Sequence, residues 1–303
     1  MTEAVQQSGI VAKTEKEWVG FSLARVGTVA ENTFIEAVRQ KVYNILIVFA
    51  LVVIASASFF SQFTFGEQLK FVKDFCLGAL SVFGTMIAIV GTALLLPSEV
   101  ENRTIYTILA KPVRRFEFLV GKYMGSVLLI FVSLVLMCVM FGAALFFKEH
   151  RLVSDTLEEG RSVTEVEVQQ ALRQQVQQIR ADALDPDLVK AVVLIFVKLA
   201  LLSAITLLVS TFSSSMIFNV TVALMILISG HLVGTAKEMW GDNAVALWLL
   251  AIVPDLGPFN VADDIVLGNA IPWAHVGMVA LYGIIYLACV VAAAHFIFSD
   301  REM

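Results

Sequence analysis

Four places in the sequence carry side chains with the types and spacing to do chemistry. Ser229 and His231 set a hydroxyl beside an imidazole, with His295 further along. Intramembrane proteolysis would need a positioned nucleophile, a base and oxyanion donors. Residues two apart do not share a helix face, and no G-x-S-x-G occurs. His231 falls instead inside Gly230-x-x-x-Gly234, a close helix-packing pattern, and reads as a helix-contact or pathway residue. Met137, Cys138 and Met140 are soft ligands that copper would accept, yet at helix spacing they read as core filler. Cys76, Cys138 and Cys289 lie far apart with no C-x-x-C, so neither a metal ligand set nor a disulfide framework is assigned. Gly121-Lys122 lacks the glycine spacing and following hydroxyl of a phosphate-binding loop, so ATP hydrolysis by this chain alone is excluded. Lys198 stands inside an apolar run, where a charge costs about 2.5–3.5 kcal/mol. It snorkels to an interface, meets a structural partner, or lines a pathway. No catalytic residue is assigned.

The elements that must position these residues follow from composition. The chain has 303 residues, of which 58% are hydrophobic and 16% charged, and its mean hydropathy is +0.83. Soluble domains carry about 45–50% apolar and about 25% charged residues, so this chain belongs in a bilayer. A net charge of −5 excludes electrostatic nucleic-acid binding. Apolar runs of about 20 residues, long enough to cross about 30 Å of hydrocarbon, occur at 42–60, 75–96, 126–147, 191–212, 216–236 and 274–298. Six transmembrane helices follow, because backbone polar groups in lipid must be satisfied within each segment. The expected fold is an all-α integral membrane protein.

Charge sets the orientation. Residues 1–41 hold Lys13, Lys16, Arg25, Arg39 and Lys41, and residues 97–125 hold Arg103, Lys111, Arg114, Arg115 and Lys122. The opposite connection 61–74 has only Lys70 and Lys73, and 237–273 only Lys237. Positive-inside counting therefore places both termini in the cytoplasm. Residues 1–20 read as a flexible cytoplasmic tail without the apolar core of a signal peptide, and 299–303 as a cytoplasmic end.

Residues 21–41 place Phe21, Ala24, Val29, Phe34, Ile35 and Val38 near one helical face, which suits a helix in the cytoplasmic interface. The same periodicity would serve a helix packed on a protein partner. Residues 148–190 carry Val166, Leu172, Val176 and Ile179 at helix spacing before Pro186, and read as an extracytoplasmic helical insertion or a solvated hairpin. Within 237–273, the ten apolar residues 244–253 are too few to span and read as a re-entrant helix, followed by irregular chain at Pro254, Gly257, Pro258 and Gly268.

The most informative stretch is the cytoplasmic segment 97–125, PSEVENRTIYTILAKPVRRFEFLVGKYMG. Pro97 stops the second span, and Ser98 with Glu101 forms a capping box for a new helix. Ile105, Ile108 and Leu109 share one face, and Pro112 breaks the helix before Arg114 and Arg115. As a bare sequence it is either a positively charged loop lying on lipid head groups or a short helix presented to a cytoplasmic partner.

Here the chain resembles the permeases of ABC type-2 transporters. Glu101, Thr104, Ile105, Leu109, Pro112, Arg115, Gly121 and Lys122 match that family's signature in order and spacing. TFIEAVRQKVYNILIVFAL at 33–51, Pro254-Asp255 with Asn260, and FSDRE at 298–302 are similar to its first span, last outer loop and charged ending. Within the family the chain most resembles permeases associated with multi-copper enzyme maturation. The 148–190 insertion is longer than in many members. The resemblance implies a membrane subunit that pairs with a second permease copy or a related permease. It also implies docking of a cytoplasmic ABC ATPase, which binds the ATP and magnesium; the permease itself needs no cofactor. Glu101, Thr104, Ile105, Leu109, Pro112 and Arg115 are then expected at the coupling interface, with Arg114 and Lys122 as anchors to lipid or the interface. A prokaryotic inner-membrane exporter is the expectation. The alternative is a scaffold that passes ATPase strokes to an extracytoplasmic partner without moving a solute.

Overall fold

The computed structural model describes residues 22–64, 67–95, 97, 114–161, 166–183, 185–240 and 253–300. Among these the chain is helical and carries no strand. Helix α1 is Leu23–Val38, α2 Lys41–Phe60, α3 Gln68–Ala93, α4 Arg115–Arg161 and α5 Val166–Ala183. Helix α6 is Asp187–Phe212, α7 Met216–Trp240, α8 the short Ala262–Val266, and α9 Trp273–Asp300. Six segments among the described residues, carried by α2, α3, α4, α6, α7 and α9, are long and apolar enough to cross a membrane.

The helices outrun the apolar runs where no breaker intervenes. Helix α4 has 47 residues, about 70 Å at 1.5 Å per residue, because no proline interrupts it between Pro112 and Pro186. It therefore projects well past Phe147, and α5 packs back against it. Pro186 precedes α6, its fixed φ of −65° suiting a helix start. At the far end of α6, Ser213 takes up extended geometry (φ −128°, ψ 137°). The Asn219 amide Nδ2 donates to the Ser213 carbonyl at 3.3 Å, so α7 begins after a three-residue turn.

Helices α3 and α6 form the centre of the bundle. Cys76, Leu77, Leu80, Ile87, Leu194, Leu199, Leu202 and Leu207 are essentially inaccessible. Outside them, α2, α7 and α9 expose Val48, Phe49, Ile217, Met225, Met278 and Ile285. Such faces have no aqueous rationale and suit lipid. Where α3, α4 and α6 meet, hydroxyls satisfy one another instead of water: Ser203 Oγ lies 2.9 Å from Thr92 Oγ1 and 2.8 Å from Ser126 Oγ. The Tyr123 hydroxyl donates to the Ala200 carbonyl at 3.2 Å.

Long-range ion pairs among the described residues sort by end of the bundle. At one end the start of α4 meets α1 and the last turns of α9. At the other, Lys73 on α3 pairs with Asp185 at 3.1 Å, and Lys237 on α7 with Asp255 at 2.8 Å. Asp187 and Lys190 pair on the first turn of α6; the Lys190 ammonium donates to the Ile271 carbonyl at 2.6 Å, and Asp187 accepts from the Ile271 N–H at 3.0 Å. That sorting is what six alternating crossings require.

Candidate coupling site

Of the residues expected at the coupling interface, Glu101, Thr104, Ile105, Leu109 and Pro112 lie outside the described residues, as does all of the expected re-entrant segment 244–253 but its last residue. What the structure describes is the chain that leaves that segment, Arg114 to Gly125, and the elements it grips.

Glu117 is the centre of the grip. It is fully buried on the first turn of α4. Arg25 of α1 binds it with both prongs, Nε to Oε2 at 2.8 Å and Nη2 to Oε1 at 2.7 Å. The Ser22 N–H adds a bond to Oε1 at 2.9 Å and the Arg114 N–H one to Oε2 at 3.4 Å. A carboxylate near a helix N-terminus also meets the favourable end of the helix dipole. The side-chain hydrogen bond from Arg25 to Glu117 raises the guanidinium above its already high range, so the pair stays charged.

One turn further, α1 crosses α4 at two glycines. A Cβ on Gly121 would lie 2.6 Å from Val29 Cβ, and one on Gly125 2.6 Å from Thr33 Cβ and 2.7 Å from the Ala30 carbonyl. Only glycine lets the backbones come this close, the small-xxx-small logic of helix pairs. The face α1 buries here runs through Val26, Thr33 and Ala37, and Leu23 and Ile35 remain exposed. Lys122 sits between the glycines, 1% exposed, its ammonium 3.6 Å from Glu36 Oε2 and 5.9 Å from the centre of the Phe118 ring. Its charge is thus turned toward α1 rather than outward, whereas the Arg114 side chain is exposed.

The same turn of α4 holds the last helix. Arg115 Nη1 donates to the Phe298 carbonyl at 3.4 Å. That carbonyl lies in the final turn of α9, where carbonyls lack intrahelical donors and favour cations. The Phe118 and Phe298 rings stack at 6.1 Å, and Phe116 meets His295 edge-on at 5.0 Å. Residues 114–125 therefore tie α1, α4 and the end of α9 into one unit directly after residues 98–113, which lie outside the described residues.

The other two site residues lie elsewhere. Lys198 is 2% exposed on α6 and its ammonium donates to Ser81 Oγ on α3 at 2.6 Å. Lys198 lies about 16 Å along the axis from the start of α6 at Asp187, and its head stays inside the bundle. His231 is exposed on α7, its Nδ1 2.9 Å from the Leu227 carbonyl of its own helix. Gly230 beside it receives a loop rather than a helix: the Leu256 N–H donates to the Gly230 carbonyl at 3.0 Å, and a Cβ would meet Leu256 Cδ1 at 2.8 Å. Gly234 has nothing within 4 Å of its Cβ position. Met137, Cys138 and Met140 belong to the apolar core.

Glu117 and Gly125 went unmarked in the sequence, and Arg25 was counted only as one of the basic residues that set the orientation. Two signals existed: a lone carboxylate inside FEFLVG for Glu117, and a second glycine four residues after Gly121 for Gly125.

No curated protein matches the chain. The model of the family described as "ABC-2 family transporter protein" matches residues 26–292, from the first turn of α1 through most of α9. Glu117, both glycines of the α1–α4 crossing and all or most of each of the six spanning helices fall within that match, and this multi-pass membrane chain belongs to the ABC-2 family of transporter proteins as a permease subunit.

Proposed function

We propose that the chain is the permease of an ATP-driven exporter, pairing with a second copy or a related permease in a prokaryotic inner membrane. A cytoplasmic ATPase docks on the segment 98–113, and its closure on ATP displaces the start of α4. The observation that carries this reading is the grip at 114–125. Glu117 and Lys122 reach α1, which leads within two residues into α2, and Arg115 reaches α9. A push on the segment just before Arg114 is thereby delivered to three spanning helices at once. Exchange between two arrangements, biased by nucleotide, then switches access across the bilayer.

The test is purification of the tagged protein in mild detergent with mass spectrometry and an ATPase assay. One P-loop ATPase per permease with vanadate-sensitive turnover is expected. A negative charge introduced at Leu109 or charge reversal at Arg115 (Leu109→Asp, Arg115→Glu) is expected to remove both ATPase recovery and stimulated turnover. If both survive the two substitutions, the docking role of this segment is wrong. If no ATPase comes down even after cross-linking, the transporter reading fails.

A second reading is favoured by one feature, the extension of α4 to Arg161 and its packing with α5. A scaffold that hands ATPase strokes to an extracytoplasmic partner would use such a projection. Removing residues 162–186 discriminates. Loss of partner recruitment with intact ATPase cycling supports the scaffold, and loss of neither rules it out.

A further inference from the structure

Between α2 and α4, at the end away from the coupling site, lies a cavity of about 490 Å³. This is within the roughly 300–1,000 Å³ of small-molecule sites. Its walls are two helix faces. Ala55, Ser58, Phe59 and Gln62 lie at helix spacing along α2 and the turn after it, and Met140, Ala144, Phe147, Lys148 and Arg151 lie likewise along α4. Alanines let the cavity exist, and at its floor the Ser58 hydroxyl donates to the Ala144 carbonyl at 3.5 Å.

The lining changes character along its length. Toward the bundle centre it is Ala55, Met140 and Ala143; toward the outer end it becomes Gln62, Lys148 and Arg151. The change falls where the apolar run of the third span stops at Phe147, which is where lipid phosphates lie against a crossing helix. Lys148 is only 5% exposed, and among the described residues no carboxylate oxygen comes within 4 Å of it or of Arg151. Arg151 is a like charge beside Lys148 whose repulsion outweighs the pull of the more distant Asp155, so the two cations are costly to hold together without a further anion. An external anion would remove that cost, and one with an apolar tail would fill the rest of the groove.

We propose that this groove is a resident binding site for an anionic phospholipid, whose phosphate sits between Lys148 and Arg151. One acyl chain lies over Ala55, Phe59, Met140, Ala144 and Phe147. Arg151, three residues after Lys148, presents a planar fork of donors suited to phosphate oxygens. Ser58 and Gln62 offer polar groups to the glycerol region. The inference rests on α2 and α4 crossing a bilayer and is independent of the ATPase docking segment.

The experiment is native mass spectrometry of the full chain in mild detergent, titrated with dioleoyl phosphatidylglycerol and separately with dioleoyl phosphatidylcholine. Phosphatidylglycerol is expected to be retained on each chain and phosphatidylcholine to be lost. Each phosphate–cation contact near a membrane surface is worth about fivefold in affinity. The double variant Lys148→Gln/Arg151→Gln should therefore bind phosphatidylglycerol about 30-fold more weakly. Arg151 is exposed, so Arg151→Gln alone keeps the fold and should weaken binding about fivefold, which covers failure of the double variant to fold. Equal retention of the two lipids, or undiminished retention by Arg151→Gln together with any folded double variant, overturns the proposal. So does displacement of the lipid by glycerol phosphate at matching concentration, which would make the groove a soluble-anion site.

Discussion

Lys198 shows what a single charge does inside this bundle. Its ammonium has a hydroxyl partner, Ser81 Oγ at 2.6 Å, and both groups lie between α3 and α6. A buried charge replaced by an apolar side chain of similar length often leaves stability unchanged or improved, whereas removing its partner leaves the charge uncompensated. Lys198→Met should therefore hold or raise the thermal midpoint in detergent, and Ser81→Ala should lower stability by about 1–3 kcal/mol. Thermal melts of both variants check this. A Lys198→Met variant that melts normally yet loses transport-linked ATPase stimulation would show that the charge serves a pathway rather than the fold. The sequence marked Lys198 because one cation in an apolar run stands out. It could not mark Ser81, because a serine inside an apolar run is ordinary until its partner is known. Arg25 and Glu117 illustrate the same limit at long range: they lie 92 positions apart, and neither residue type nor spacing announces the other.

At the scale of elements, the pairing of α1 with α4 depends on two missing side chains. Gly121→Ala or Gly125→Ala would drive a Cβ to 2.6 Å from a Cβ of α1, and overpacking of that kind costs about 1–3 kcal/mol. The expected result is loss of amide protection across α1 in hydrogen–deuterium exchange, with the spanning helices unaffected. Gly142→Ala on the same helix is the control. Nothing lies within 4 Å of its Cβ position, so the change should be neutral or stabilising by up to about 1 kcal/mol. Equal exchange in all three variants would mean that the close crossing does not hold α1. The periodicity of α1 was legible, and its buried face only in part: Val29, Phe34 and Val38 of the expected face do pack inward. Ile35 stays exposed, and the close crossing is made by Val26, Val29, Ala30 and Thr33, which are small enough to approach glycine. Helix ends were equally hard to read. Apolar runs mark where lipid is expected, and a helix continues past them until a proline or an extended residue stops it, as α4 does for 47 residues.

For the whole molecule the decisive property is which end faces the cytoplasm. Ion pairs among the described residues divide between the two ends of the bundle. Arg25, Glu117, Lys122 and Arg115 work at one end, while Lys73, Asp187, Lys190 and Asp255 work at the other. Six crossings were legible because an apolar run of about 20 residues has few other uses. The side was read from lysine and arginine counts in the short connections, a statistical excess rather than a geometric constraint. Single-cysteine labelling tests both parts. The native cysteines, buried Cys76, half-buried Cys138 and exposed Cys289, are first replaced by alanine. Asn269→Cys and Arg39→Cys then place thiols at exposed positions of opposite ends. Asn269→Cys should react with an impermeant maleimide in intact cells, and Arg39→Cys only after permeabilisation. The reverse pattern would invert the orientation and remove the coupling segment from the ATPase side. Reaction of both in intact cells would mean that the two ends are not separated by a bilayer. Because α1 and the start of α4 share the Arg39 end, this one labelling pattern fixes whether a cytoplasmic motor can reach the grip on Glu117 at all.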